Sequence, residues 1–211
     1  MLMFRTESHA FIEDYRTGLK AVLDALPAED IQTFIEYLRD AYDRDKLIFI
    51  IGNGGSAATA SHMACDLGKT VLGADTVSPR RRFRPIALTD NMPLVTAWGN
   101  DASYETIFAQ QLRNLATSGD LLIVITGSGN SANIVEAVRV ADEMGVTAIG
   151  LLGFDGGFVK GLLEHAIVAD SEQYGFIEDV HMVLTHLVTA YFKRALQGES
   201  VAIGQGADAA D

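Results

Sequence analysis

The chain has 211 residues, of which 48% are hydrophobic, and a formal net charge of −12 at pH 7. A chain of this size can bury a full core and is most simply one domain, while its charge argues against general binding to nucleic acid or to anionic membranes. The single cysteine excludes an internal disulfide, and no apolar run reaches the ~18–20 residues that cross a bilayer, so a cytoplasmic protein with no membrane partner is expected.

Two amphipathic helices are predicted ahead of the first strand. Apolar residues recur at helical spacing from Phe4 to Leu26, Pro27 breaks the pattern, and a second stripe runs from Ile31 to Tyr42. These helices could cover their own domain or form a bundle that is shared between subunits. We favour the shared bundle, because helices outside the alternation of strands and helices often make oligomer contacts.

Residues 47–69 are predicted to form a strand, a glycine turn and a helix. Five apolar residues at 47–51 precede Gly-Asn-Gly-Gly-Ser at 52–56, and an Ala-rich segment follows. Free N–H groups and the positive end of the helix dipole then point at one spot, which suits an anion, and the Ser56 hydroxyl would reach a phosphate oxygen. A glycine turn without a ligand would have the same sequence.

His62 and Asp66 lie four residues apart on the helix that follows this turn. Residues at this spacing share one helix face, so the two side chains could hold one metal ion or one proton. An ion pair on a solvated face would show the same spacing.

The segment after this helix contains an arginine run at Arg80, Arg81, Arg82 and Arg84. Such a run is usually a solvated loop, which we favour, although it could also face an anionic ligand or an acidic neighbouring subunit. A short strand over residues 85–88 then ends in Thr89-Asp90-Asn91. Two helices are predicted next, over 94–97 and 104–116.

A second strand, turn and helix begin at the strongly apolar residues 121–125. The turn carries hydroxyl groups at Thr126, Ser128 and Ser131, and a helix is predicted over 132–144. These hydroxyls and the backbone N–H groups would form a neutral nest for phosphate. Because the chain has two such turns, a ligand site is favoured over a purely structural role.

Two further strands (146–152 and 166–169) flank a helix at 158–163, and a final helix runs over 177–196. Five strands that alternate with helices predict an α/β fold, in which a five-stranded parallel sheet forms the middle of a three-layer αβα structure. The domain is expected to span 1–197, including the helical pair within 1–45, and the tail at 198–211 is expected to be disordered.

Two histidines lie on the final helix. Glu178 and His181 are three residues apart and share a face, whereas His186 is five residues beyond His181 and is predicted to point elsewhere. A histidine within an apolar stretch is more often a satisfied core residue than a catalyst.

Together these segments resemble the sugar isomerase (SIS) domain family, and within it the phosphoheptose isomerases. The matching pieces are GNGGSAATASHMACDL (52–67), ALTDN (87–91), GNDASYETIF (99–108), TGSGNSANIVEA (126–137), GFDGG (153–157) and IEDVHMVLTH (177–186). Their order and spacing cover nearly the whole chain, and only the C-terminal tail falls outside the resemblance.

The resemblance implies an aldose–ketose isomerase that converts sedoheptulose 7-phosphate to a heptose 7-phosphate through an enediol. It also implies a homotetramer with active sites at the subunit boundaries. The family's catalytic pair falls on Asp66 and His181. The phosphate ligands fall on Ser56, Thr126, Ser128 and Ser131, and the other substrate-binding positions on Asn53, Gly54, Gly55, Asp90 and Glu178. In zinc-binding relatives the Zn²⁺ ligands come from the positions of His62, Asp66, Glu178 and His181.

Three positions depart from the family pattern: Asp66 and Cys65 replace glutamates, and Glu178 replaces a glutamine. The shorter carboxylate and the added charge would leave the site either retuned for another phosphosugar or inactive. Related tetramers that associate with a replication initiator keep the fold without the acid–base residues, so a non-catalytic phosphosugar-binding or scaffold protein is the alternative. His62, Asp66 and His181 favour the enzyme. A sugar-phosphate-sensing regulator is disfavoured, because no separate DNA-binding segment is present.

Overall fold

The computed structural model describes residues 2–74, 76–77 and 81–201. Within this part of the chain the strands are β1 (Leu47–Ile51), β2 (Arg84–Ala87), β3 (Leu121–Thr126), β4 (Thr147–Gly153) and β5 (His165–Ala169). The helices are α1 (Leu2–Asp24), α2 (Ala28–Asp43), α3 (Gly55–Gly68), α4 (Met92–Asp101), α5 (Ala109–Leu115), α6 (Ala132–Glu143) and α7 (Tyr174–Gln197). The tail positions 202–211 lie outside the described residues.

The five strands form one parallel sheet in the order β2-β1-β3-β4-β5. The predicted fold class, a five-stranded parallel sheet between two helical layers and preceded by two helices, is therefore confirmed. The chain moves from β1 outward to β2 and then returns to β3 on the other side of β1. The crevice between β1 and β3 is thus the switch point at which open α/β sheets bind ligands.

Alternate residues along each strand face opposite helical layers, as strand geometry requires. Ile48 and Ile50 of β1 pack in one core with α2, α3 and α7. Phe49 and Ile51 of the same strand pack in the other core with α5 and α6. Burial on both faces explains why the strands read as continuous apolar runs in the sequence.

The two leading helices differ in what they bury. The second helix, α2, places Phe34, Leu38 and Ala41 in the core on its own side of the sheet, so it covers its own domain. The first helix, α1, leaves Phe11 and Ile12 exposed at 68% and 51%. The predicted shared bundle is therefore not needed to bury α2, and it remains a prediction for α1.

The helix predicted over residues 104–116 is divided into two parts. A 3₁₀ turn covers Tyr104–Thr106, and α5 begins only at Ala109. Ile107 and Phe108 between them are buried in the core of the α5 and α6 layer. This turn directs the Tyr104 hydroxyl towards Asn53, where it forms a hydrogen bond of 3.0 Å.

Two arginines of the run at 80–84 anchor this segment to the end of α2, whereas Arg82 donates to the carbonyl of Thr76 within the loop. Arg81 donates to the carbonyl of Asp43 and Arg84 donates to that of Asp45. Arg80 lies outside the described residues. Because β2 begins at Arg84, these contacts lie at the amino end of the sheet, whereas the crevice lies at the carboxyl end. None of the described helices is long and apolar enough to cross a bilayer.

Candidate functional site

The first glycine turn joins β1 to α3 and is tightly packed. Gly54 has φ +57°, a backbone conformation that glycine adopts at no steric cost. A Cβ at Gly52 would lie 2.6 Å from the backbone of Ser56, so the turn requires glycine there. Ser56, in the first turn of α3, is 7% exposed. Free N–H groups at this helix start face the carboxyl edge of the sheet and can bind an anion.

The second turn joins β3 to α6 and presents hydroxyl groups. Thr126 Oγ1 accepts a hydrogen bond from the N–H of Gly129, and Ser128 Oγ accepts one from the N–H of Asn130, both at 3.3 Å. Their hydroxyl hydrogens therefore remain available to donate. Ser131 precedes α6 and makes no side-chain capping hydrogen bond. Three hydroxyl donors thus surround the start of a second helix.

A pair of amides connects the two turns. Asn53 Nδ2 donates to Asn133 Oδ1 at 2.9 Å, and Asn133 Nδ2 donates back to Asn53 Oδ1 at 2.8 Å. Asn53 lies in the first turn, whereas Asn133 lies at the start of α6 and is 2% exposed. Asp90, which follows β2, is held separately, because the hydroxyl of Ser61 donates to its carboxylate.

Cavities flank the turns. One of about 460 Å³ is lined by the first turn, Thr89 and Tyr104, and one of about 530 Å³ is lined by Ser128 and three carboxylates, among other residues. Since carboxylates repel phosphate, the second cavity is a poor place for it, whereas the first cavity adjoins the turn at 52–54. A third cavity of about 310 Å³ lies against α2 and the amino end of β3, away from every candidate residue.

A cluster of His62, Asp66 and His186 lies where α3 meets α7. The Nε2 atoms of the two histidines are 3.0 Å apart, and Asp66 Oδ2 lies 3.4 Å from His62 Nε2. One ligand atom from each of the three residues lies within 4.8 Å of the others. Asp66 is 8% exposed, and Thr189 of α7 donates to its carboxylate at 3.4 Å. Two nitrogens and an oxygen that converge in this way suit a shared proton or a metal ion.

The placement of His186 corrects the sequence analysis, which predicted that this residue points elsewhere. The structure brings its ring to within hydrogen-bonding distance of His62. An apolar stripe on α7 contains Ile177, Leu184 and Val188 at helical spacing, and His181 falls on that stripe. His186 falls on the opposite face. The periodicity of α7 therefore contained the signal that separates the two histidines.

His181, the predicted catalytic histidine, is buried in the core at 1% exposure. Its Nε2 lies 3.0 Å from the carbonyl oxygen of Leu152. Because a carbonyl can only accept, Nε2 carries a hydrogen. Burial lowers the pKa of His181 to about 4, although the hydrogen bond to Leu152 opposes part of this shift. Among the described residues, His181 is not part of the cluster with His62 and Asp66.

Glu178 lies against the start of α3. A Cβ at Gly55 would be 2.5 Å from Glu178 Oε1, so the Glu178 carboxylate packs directly over this glycine. The amino end of a helix carries partial positive charge, which stabilises a neighbouring carboxylate. Glu178 is likewise outside the described group of His62, Asp66 and His186. Of the four predicted metal ligands, the structure therefore groups two.

Three comparisons relate this geometry to known proteins. A family model described as a SIS domain matches residues 10–153. The phosphoheptose isomerase of Clostridium acetobutylicum is 37% identical over 183 residues, which cover 86% of this chain and 90% of the relative. The structure of a phosphoheptose isomerase from Neisseria gonorrhoeae superposes over 91% of this chain and 98% of that chain, with a TM-score of 0.77 and 30% identity. One from Francisella tularensis has a TM-score of 0.79 and 25% identity, over 89% and 97% of the two chains.

The neutral state of His181 predicts a pH dependence of stability. The unfolded chain protonates this histidine below about pH 6.5, whereas the folded protein keeps it neutral down to about pH 4. The unfolded state therefore binds more protons in this window, and the free energy of unfolding falls as the pH falls. We expect a loss of about 2 kcal/mol between pH 6.5 and pH 5 from this residue.

Urea denaturation at the two pH values measures this loss, and His181→Gln is the control because glutamine does not titrate. The difference in unfolding free energy between the two pH values should be smaller in the variant. An equal difference in both proteins would contradict the assignment of His181 as a buried neutral residue.

Proposed function

The chain belongs to the SIS domain family, and we propose that it is a phosphosugar isomerase that interconverts sedoheptulose 7-phosphate and a heptose 7-phosphate. Relatives from several organisms, at 32–41% identity over most of this chain, are named phosphoheptose isomerases. The observation that carries the proposal is the pairing of two hydroxyl-lined helix starts with a cluster of His62, Asp66 and His186. The first supplies phosphate binding, and the second supplies groups that can move protons.

The two turns are proposed to hold the phosphate. Ser56, Thr126, Ser128 and Ser131 would donate hydrogen bonds to its oxygens, together with the N–H groups at the starts of α3 and α6. Asn53 and Asp90 would contact the sugar. Binding the phosphate remotely orients the reacting carbons, and this orientation lowers the barrier to proton transfer.

The cluster is proposed to carry out the isomerisation. Asp66 would take the proton from C1 of the ketose while His186 gives a proton to the oxygen on C2, which forms the enediol. Return of the carbon proton to C2 and loss of the hydroxyl proton from O1 complete the aldose. His62 lies beside both groups and would hold the imidazole of His186 in position. His186 thus takes the role that the resemblance assigned to His181.

The same cluster fits Zn²⁺. Two imidazole nitrogens and a carboxylate oxygen are a ligand set that zinc accepts, and they already converge. We propose that His62, Asp66 and His186 hold the ion. When bound, it would stabilise negative charge on the enediol oxygen.

A homotetramer with the active site at a subunit boundary is also proposed. The apolar residues Phe11 and Ile12 of α1, and Val183 and Leu187 of α7, are exposed at 40–68%. Val183 and Leu187 flank His186 on α7, so a partner subunit that covers them would also border the cluster.

A non-catalytic binding or scaffold protein is the competing proposal. It would keep the phosphate-binding turns but would not need a proton-transfer group. The cluster of His62, Asp66 and His186 disfavours it, because a scaffold does not need a buried carboxylate that faces two imidazoles.

Substitution of the cluster tests the proposed chemistry. Asp66→Asn and His186→Gln should each lower kcat for sedoheptulose 7-phosphate by about 10²–10⁴-fold, the usual contribution of a general acid or base. His181→Gln should retain turnover. Wild-type enzyme should also introduce solvent deuterium next to the carbonyl, which a scaffold would not do. Full activity in either cluster variant would refute the assignment.

Metal binding is testable apart from turnover. Calorimetric titration with Zn²⁺ should give one site per chain, and His62→Ala and His186→Ala should weaken it at least about 10-fold. His181→Gln is the matched control and should bind zinc as the wild type does. Unchanged affinity in both alanine variants would place any zinc elsewhere.

The oligomer is tested by sedimentation. The wild type should sediment as four copies of the 22.7 kDa chain, and Leu187→Asp should give smaller species, because a charge in an apolar contact is costly to bury. Turnover should fall together with the assembly. A fully active monomer would overturn the proposed boundary site.

A further inference from the structure

We infer that Asn133 and Tyr104 are positioning residues that hold the amide of Asn53 so that only an N–H group is left to meet the sugar. This inference rests on the proposed function, because it concerns the same ligand site. Neither residue is one that the resemblance assigned to the site. Both contact Asn53 directly, one from the start of α6 and one from the 3₁₀ turn before α5.

The reciprocal amide pair fixes the plane of the Asn53 side chain. Two hydrogen bonds, of 2.9 Å and 2.8 Å, run in opposite directions between Asn53 and Asn133. Since Asn133 is 2% exposed, its amide would be costly to leave unpaired, and the pair is strongly favoured over separated amides.

The Tyr104 hydroxyl completes the constraint. It donates to Asn53 Oδ1 at 3.0 Å, so that oxygen accepts from both Tyr104 and Asn133. A carbonyl oxygen has two lone pairs, and both are now used. Asn53 Nδ2 has two hydrogens, of which one is given to Asn133. One N–H group therefore remains, and it can only donate.

The constraint has a consequence for recognition. Asn53 would select an oxygen acceptor of the ligand, a hydroxyl or carbonyl oxygen of the sugar, and would not accept a hydrogen bond from a sugar hydroxyl. The pair also links the turn after β1 to the helix after β3, so it sets the distance between the two proposed phosphate-binding turns.

Kinetics with sedoheptulose 7-phosphate test the inference. Tyr104→Phe removes one hydrogen bond without changing shape and should lower kcat/KM about 2- to 10-fold. Asn133→Ala should lower it about 10- to 100-fold, because misplaced binding groups are costly. In an Asn53→Ala background, Tyr104→Phe should cause no further loss, since its target is gone.

A matched control exists at the other end of the same strands. Asp120 accepts a hydrogen bond from the N–H of Leu47 at 3.0 Å and so connects the amino ends of β1 and β3. Asp120→Ala should destabilise the fold but leave kcat/KM of the folded enzyme unchanged. An equal loss of kcat/KM in Asp120→Ala, or additive effects of Tyr104→Phe and Asn53→Ala, would overturn the positioning role.

The side-chain amide spectrum of protein labelled with ¹⁵N-asparagine provides a readout that does not need turnover. Tyr104→Phe and Asn133→Ala should each shift the Asn53 amide signals, and sedoheptulose 7-phosphate should shift them in the wild type. An inactive wild type with these shifts would refute the proposed isomerase but retain the positioning role. If the wild type is active but the Asn53 signals are the same in the wild type and in both variants, the positioning role alone is refuted.

Discussion

The contact between α3 and α7 is the interaction on which the candidate site depends. The two helices meet at three levels: Gly55 with Glu178, His62 with His186, and Asp66 with Thr189. These pairs advance in the same direction along both helices, so the helices lie side by side and parallel. The Glu178 carboxylate packs over Gly55 at the start of α3, and the histidine cluster lies two turns further along.

The two turns proposed to bind phosphate depend on a different constraint, the change of direction in the strand order of the sheet. After β1 the chain passes through α3 on one face, and after β3 it passes through α6 on the other face. The two helix starts therefore flank one crevice without obstructing each other. Because the backbone N–H groups at both starts are free of helical partners, a phosphate can be held without any lysine or arginine, in keeping with an acidic chain.

Much of this could be predicted from the sequence, because it depends on local patterns. Apolar runs predicted the five strands, and the glycine- and serine-rich turns predicted where the ligand edge lies. The two histidines of α7 show where local reasoning failed. Spacing from Glu178 set His186 aside, and the resemblance gave His181 the catalytic role. The apolar stripe of the same helix instead places His181 in the core and leaves His186 to meet α3. Asn133 and Tyr104 gave no local signal, since their partner Asn53 is 80 and 51 residues away in the chain.

The contact between α3 and α7 also bears on the order in which the protein folds during its synthesis. Domains acquire structure from the amino terminus while synthesis continues, and the sheet with its first six helices precedes residue 174. A nascent chain thus has both turns, His62 and Asp66 before it has His186, the third member of the cluster. The cluster is therefore completed only by the last described helix to leave the ribosome, which also supplies Ile177, Val180 and Leu184 to the core.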